Sequence, residues 1–177
     1  MQMIHPKALF LASSSPRRAQ LLSDMGVEFN VLPADACAID ETPQANESAW
    51  ELVERLARSK AAMALSMADL PDGSVVLAGD TVVIHQGRIF GKPVDEREAA
   101  AMLSALGGQT HAVVTAIAVA DRQRCESVIV QTDVTMMSLS EELIAAYLST
   151  GEPQGKAGAY ALQGMAAQFV ERICGSW

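Results

Sequence analysis

Residues 8 to 26, ALFLASSSPRRAQLLSDMG, leave little freedom in how the chain begins to fold. The apolar run Ala8 to Ala12 is too short for an amphipathic helix and suits a buried strand. Ser13, Ser14 and Ser15 end it. Pro16 then stands where a first helical residue belongs, with Ser15 as N-cap and Gly26 closing the helix. The product is a strand, a serine turn and a helix.

The same alternation continues. An extended piece is predicted around 29 to 34, then a helix from about Glu47 to Met67 with Trp50, Val53, Leu56, Ala57, Ala61, Ala64 and Leu65 on one apolar face. Pro71 to Gly73 breaks the chain, and VVLAG at 75 to 79 reads as a second buried strand, followed by Asp80 and Thr81, more β-branched residues, and a Gln86-Gly87 turn that suggests a hairpin. Asp95 with Glu98 announces a third helix that Gly107-Gly108 stops. Two β-branched stretches, 110 to 120 and 127 to 137, should pair as an antiparallel hairpin across Asp121 to Arg124. A fourth helix fits Glu141 to Ser149, capped by Ser140 and ended at Gly151; 151 to 164 reads as a loop, and Phe169 to Ile173 as a returning strand. The expected class is α/β, a mixed and mostly twisted sheet flanked by helices, with ligands where strands end and helices begin.

At 177 residues, 50% hydrophobic, the chain holds enough apolar material for one core and is read as one domain. A net charge of -8 and 5% aromatic content speak against extended nucleic acid, which calls for a basic face or stacking rings. A small phosphorylated ligand stays open, because a few cations in one place can hold it. Cys37, Cys125 and Cys174 have no metal or redox spacing and read as free thiols of a reducing compartment. The N-terminal residues lack the apolar length of a signal peptide or membrane span, so the expectation is a cytoplasmic protein with no membrane partner.

Three groups of residues could carry chemistry. Ser13-Ser14-Ser15-Pro16-Arg17-Arg18 puts backbone N–H groups, hydroxyls and two guanidiniums at a helix start, a phosphate grip; alternatively the serines only cap and the arginines face solvent. Of four lysines, Lys60, Lys92 and Lys156 have small neighbours that let a ligand approach, and Lys7 lies near the start; each could also be merely solvated. Asp80, after a buried strand, and Glu41, in the loop Asp40-Glu41-Thr42-Pro43, are the best-placed carboxylates for a hard cation and for taking a proton from water, though either could be a turn or loop residue. His5, His85 and His111 have no metal spacing, and Walker A, GxSxG and HExxH sequences are absent.

With LASSSPRRAQLL at 11 to 22, IDET at 39 to 42, AGDTVV at 78 to 83, GKP at 91 to 93 and GKAGAYALQG at 155 to 164, the chain resembles the Maf-like nucleotide pyrophosphatases. The resemblance spans essentially the whole chain. It implies a Maf/ITPase-like fold, elongated and two-lobed with a central cleft, and often a homodimer. It implies Asp80 as proton acceptor, phosphates held by Ser13, Arg17, Arg18, Lys60, Lys92 and Lys156, and Mg²⁺ or Mn²⁺ held by Glu41 and Asp80. Arg17, Thr81 and Gln163 match the specificity positions of the dTTP/UTP branch. The related 7-methyl-GTP branch has an aromatic, a Gln and a Glu there, whereas Gln163 can pair with a neutral pyrimidine edge. Family members continue past the place of Gly175-Ser176 with a further strand, so the resemblance implies a strand missing after Trp177.

The expected activity is hydrolysis of dTTP, UTP or modified pyrimidine triphosphates to the monophosphate and pyrophosphate. The rival from another class is a non-catalytic nucleotide-binding regulator linked to cell-division arrest.

Overall fold

Long runs of Val, Thr and Ile fill the middle of this chain, and extended backbone is where such side chains pack best. They build a seven-stranded mixed sheet. The structure, a computed structural model, describes residues 8–33, 39–67 and 69–176. His5, Lys7, Cys37 and Trp177 lie outside the described residues.

Strand β1, Leu9–Ala12, pairs in parallel with both β2, Asn30–Val31, and β3, Val75–His85. Beyond β3 come β5, Thr110–Ala120, β6, Cys125–Met136, and β7, Val170–Gly175, which is antiparallel to β6; the short β4, Arg88–Phe90, pairs antiparallel with β3. The turn between β3 and β4 is the expected Gln86-Gly87, both with positive φ, the backbone that a two-residue hairpin turn demands. Asp121 shapes the turn joining β5 to β6: its carboxylate accepts from the Gln123 and Arg124 N–H groups.

The four helices follow their caps. Helix α1, Pro16–Asp24, ends with Gly26 N–H on the Ser23 carbonyl and Val27 N–H on that of Leu22, a paired closure that needs the positive φ of Gly26. Helix α2, Ala49–Met67, starts two residues after the expected Glu47 because Ser48 is its cap, with Glu51 reaching back to the Ser48 N–H. Its buried face is Leu52, Val53, Leu56, Ala57, Ala61 and Ala64; Trp50, expected on that face, is 42% exposed, and Leu52 takes the apolar position instead. In α3, Glu96–Leu106, Asp95 accepts from the Glu98 N–H as anticipated, and in α4, Glu141–Leu148, Ser140 accepts from that of Leu143. No helix among the described residues is long and apolar enough to cross a membrane.

The chain divides into two units, Met1–Asp80 with Ala116–Ile129 and Thr81–Thr115 with Val130–Trp177. In the first, α2 lies against β1 and buries its alanine face, together with Leu11, Val76 and Ala78 of the strands. The second has its core in Leu103, Leu106, Met136, Tyr147 and Phe169. Two departures from the sequence expectation bear on function. Strand β3 does not stop at Gly79 but runs eleven residues, so Asp80 and Thr81 are strand residues. The β-branched Thr81, Val82, Val83 and Ile84 sustain the extended backbone. Residues 151 to 164, expected as a plain loop, contain a 3-10 turn at Ala157–Ala159, with another following at Met165–Phe169.

His111, on β5, is 2% exposed, and its Nε2 meets the Tyr160 hydroxyl at 2.8 Å. Burial, helped by nearby His85 and opposed by Asp133, lowers its pKa from 6.5 to about 4. The folded protein therefore binds fewer protons than the unfolded chain between about pH 4 and 6.5. Its contribution to stability is complete above the unfolded value and is lost as pH falls through this window, by up to roughly 3 kcal/mol. Urea midpoints measured from pH 7 to 4 should decline in this range and decline less in His111→Phe; equal slopes would remove His111 as the cause.

Candidate active site

Strand β3 is apolar from Val75 to Ile84 except where Asp80 and Thr81 interrupt it, and Asp80 is only 8% exposed. A buried carboxylate needs a counter-charge and donors. Lys60 supplies both from α2: its Nζ donates to Asp80 Oδ1 at 2.6 Å and to Glu41 Oε1 at 2.7 Å. The small Ala57, Ala61 and Ala64 make up the buried face of α2 around Lys60, so its helix can lie close to the sheet. Burial alone would lower the lysine's pKa. The charges and hydrogen bonds of Asp80 and Glu41 outweigh it and leave the pKa above its ordinary value, so this ammonium is charged at neutral pH.

One residue earlier, the Gly79 carbonyl accepts from Arg18 Nη1 at 2.6 Å. A side chain at Gly79 would stand 3.0 Å from the Ala116 carbonyl oxygen and 3.6 Å from the Arg18 guanidinium carbon, so glycine is what permits the approach. Arg18 Nη1 also reaches the buried Ser13 hydroxyl at 3.3 Å, which in turn accepts from the Ser15 N–H at 3.2 Å. Ser13 thus ties β1 to the entry of α1, and the Ser15 side chain makes no capping bond. The first turn of α1 carries Arg17 and Arg18 and no acidic residue. Two guanidiniums at a helix N-terminus oppose its dipole, an arrangement that an anion would relieve.

The first unit therefore holds two contact groups, Ser13 with Arg18 and Glu41 with Lys60 and Asp80, which meet at the neighbouring residues Gly79 and Asp80 of β3; Arg17 is half-buried beside Arg18. In the second unit, Thr81 Oγ1 lies 3.0 Å from Thr115 Oγ1. The segments carrying Lys92 and Lys156 are joined: the Gly158 N–H donates to the Gly91 carbonyl at 3.0 Å. Lys156 Nζ donates to the Gln154 carbonyl at 3.3 Å, Lys92 is exposed, and Gln163 is exposed on the segment that follows.

Two features escaped the sequence reading. One is the Gly79 carbonyl as the acceptor that fixes Arg18, for which Gly79 itself was the sole clue. The other is Glu152, the lone acidic residue between 151 and 164, which accepts from the Tyr147 hydroxyl and from the N–H groups of Met165 and Ala166.

Among the described residues, no three His, Cys, Asp or Glu side chains gather as a metal site. Glu41 and Asp80 nonetheless direct carboxylate oxygens at one cationic centre, the Lys60 ammonium. Two hard oxygen donors sharing a positive centre suit Mg²⁺ or Mn²⁺, which take one or two protein carboxylates and complete their shell with substrate phosphates and water.

A family model described as "Maf-like protein" matches residues 8–177. A protein of Methylobacillus flagellatus named dTTP/UTP pyrophosphatase is 48% identical over 177 residues, covering 98% of this chain and 85% of the relative. One of Shigella sonnei with the same name is 47% identical over 172 residues, covering 96% and 84%. Among solved structures, the Staphylococcus aureus Ham1 protein superposes with a TM-score of 0.52 at 13% identity, covering 92% of this chain and 91% of that one; the likeness is one of fold.

Removing Lys60 leaves Asp80 buried without its cation. Lys60→Met should lower the unfolding free energy at pH 7 by about 3 kcal/mol, and adding Asp80→Asn should restore part of the loss. Urea unfolding of the two single variants and the double variant checks this. Additive losses would show that the pair is not coupled.

Proposed function

Because this chain belongs to the Maf-like protein family, we propose that it is a nucleoside triphosphate pyrophosphatase that hydrolyses dTTP and UTP to the monophosphate and pyrophosphate. The observation that carries the reading is the buried Asp80–Lys60 pair, with Glu41 on the same ammonium. The names of the relatives support the choice of substrate.

In this reading Asp80 accepts a proton from the attacking water. Lys60 holds its carboxylate in place, and a nucleotide that draws the ammonium toward its phosphates would release an Asp80 oxygen for that proton. Arg18, braced by Gly79 and Ser13, presents a fixed guanidinium, and Arg17 and the N-terminal N–H groups of α1 add to the phosphate-binding field. Lys92 and Lys156 supply further charge for the phosphates. Such prearranged cations stabilise charge that moves onto the leaving pyrophosphate. Glu41 and Asp80 would hold Mg²⁺ or Mn²⁺, which when bound neutralises phosphate charge and polarises the reacting phosphorus.

Arg17, Thr81 and Gln163 select the base, Gln163 through an amide that can both donate to and accept from a pyrimidine edge. The whole chain acts as one Maf-like domain, which the family match over residues 8–177 supports. The reading extends to a cytoplasmic homodimer. The free thiols of Cys125 and Cys174 support a reducing compartment, and the dimer rests on family resemblance.

Replacing Asp80 with Asn keeps the shape but cannot accept the proton. Pyrophosphate release from dTTP with Mg²⁺ should fall by roughly a thousandfold or more, while nucleotide binding by calorimetry stays within about threefold. Turnover retained in Asp80→Asn would remove this residue from the chemistry.

A further inference from the structure

The segment from Ala161 to Ala166 carries Gln163, and its backbone is tied at both ends to one pair of side chains. Tyr147, on α4, is almost wholly buried with its ring against Phe169, centroids 5.3 Å apart and nearly perpendicular. Its hydroxyl accepts from the Ala161 N–H at 3.2 Å and donates to Glu152 Oε1 at 2.7 Å. Glu152 then closes the other end: Oε2 accepts from the Met165 N–H at 2.9 Å and Oε1 from that of Ala166 at 3.2 Å.

The carboxylate is also pressed against the chain at Gly164. A side chain there would lie 2.3 Å from Glu152 Oε2 and 2.6 Å from its carboxyl carbon, so the carboxylate would have to move off its present position to make room. Burial works to raise the Glu152 pKa, but the Met165 N–H, the Tyr147 hydroxyl, the Ala166 N–H and the charge of Lys156 together lower it. The group is therefore an anion at neutral pH, able to hold all three donors at once. Leu162, Gln163 and Gly164 span the interval between the two anchored ends, and Gln163 is exposed.

We propose that Glu152, working through Tyr147, is a positioning residue for base selection that fixes the backbone presenting Gln163. This rests on the reading of Gln163 as a base-contacting residue. Glu152 itself touches no substrate in this account. Its role differs from that of a residue that only holds the fold, because loosening the anchored segment blurs which base edge the Gln163 amide can match while Asp80 and its partner Lys60 are untouched.

The quantity to measure is selectivity, kcat/KM for dTTP divided by that for CTP, with Mg²⁺ present. The thymine and cytosine edges differ in donor and acceptor where a side-chain amide would read them. Glu152→Gln offers one acceptor oxygen where the carboxylate offers two, so at least one of the three donors loses its partner and the hold on the segment weakens. Tyr147→Phe keeps the packed ring and deletes only the hydroxyl link, and it carries the test by itself should Glu152→Gln not fold.

Each variant should lower selectivity about tenfold. In a Gln163→Ala background neither should lower it further, because the residue through which they act is gone. If Gln163→Ala lowers selectivity but folded Glu152→Gln and Tyr147→Phe do not, or if their effects add to it, Glu152 is not a positioning residue and the reading of Gln163 stands. If Gln163→Ala leaves selectivity unchanged, the reading of Gln163 falls and this proposal with it.

Discussion

A carboxylate in the middle of a buried strand loses several kcal/mol of hydration, and only a well-placed partner offsets that loss. Asp80 has such a partner in Lys60, and much of the first unit is arranged so that the two can meet. The alanines of α2 bring the helix close, β3 extends past Gly79 so that Asp80 is held on a strand, and Gly79 leaves room for Arg18 against the backbone. Shift the register of α2 or β3 by one residue and the ammonium no longer faces the carboxylate. Glu41 adds a second anion to the same cation, which leaves net negative charge around Lys60 and a place where additional positive charge would be welcome.

The placement of cations follows the same logic. A chain of net charge -8 repels polyanions at a distance, yet Arg17, Arg18 and Lys60 come from separate early elements and lie in one unit, while Lys92 and Lys156 ride on two segments joined by the Gly158–Gly91 hydrogen bond. Local concentration of charge, not its total, decides whether a compact triphosphate can be held. The attachment of Arg18 also matters to the proposed function, since a guanidinium already bound to Gly79 and Ser13 would lose little freedom on taking up a phosphate oxygen.

Much of this was legible in the sequence wherever a local rule governs. Pro16 and Gly26 bracket α1, Asp95 and Glu98 start α3, and Gln86-Gly87 turns the hairpin, because each effect acts within a few residues of its cause. Asp80, Glu41 and Lys60 were visible as separate candidates, but their contact was not, since it joins residues far apart in the chain. The same limit explains the misplaced end of β3: an aspartate after VVLAG looks like a stop until a lysine from α2 makes it tolerable inside a strand. Trp50 fitted the helical period of α2 yet sits at its first turn, where Leu52 and Ala49 face inward instead. Glu152 gave almost no signal, because two of its partners are backbone N–H groups that any sequence would supply and the third is the hydroxyl of Tyr147 on another element.

The central claim is that the buried pair serves cleavage between the α and β phosphates. Incubating the protein with dTTP and Mg²⁺ in water enriched in oxygen-18, then resolving the products by mass spectrometry, tests it most directly. The account predicts dTMP and pyrophosphate in equal amounts, with one heavy oxygen incorporated per bond cut. Production of dTDP and orthophosphate, or binding of dTTP with no turnover, would contradict it.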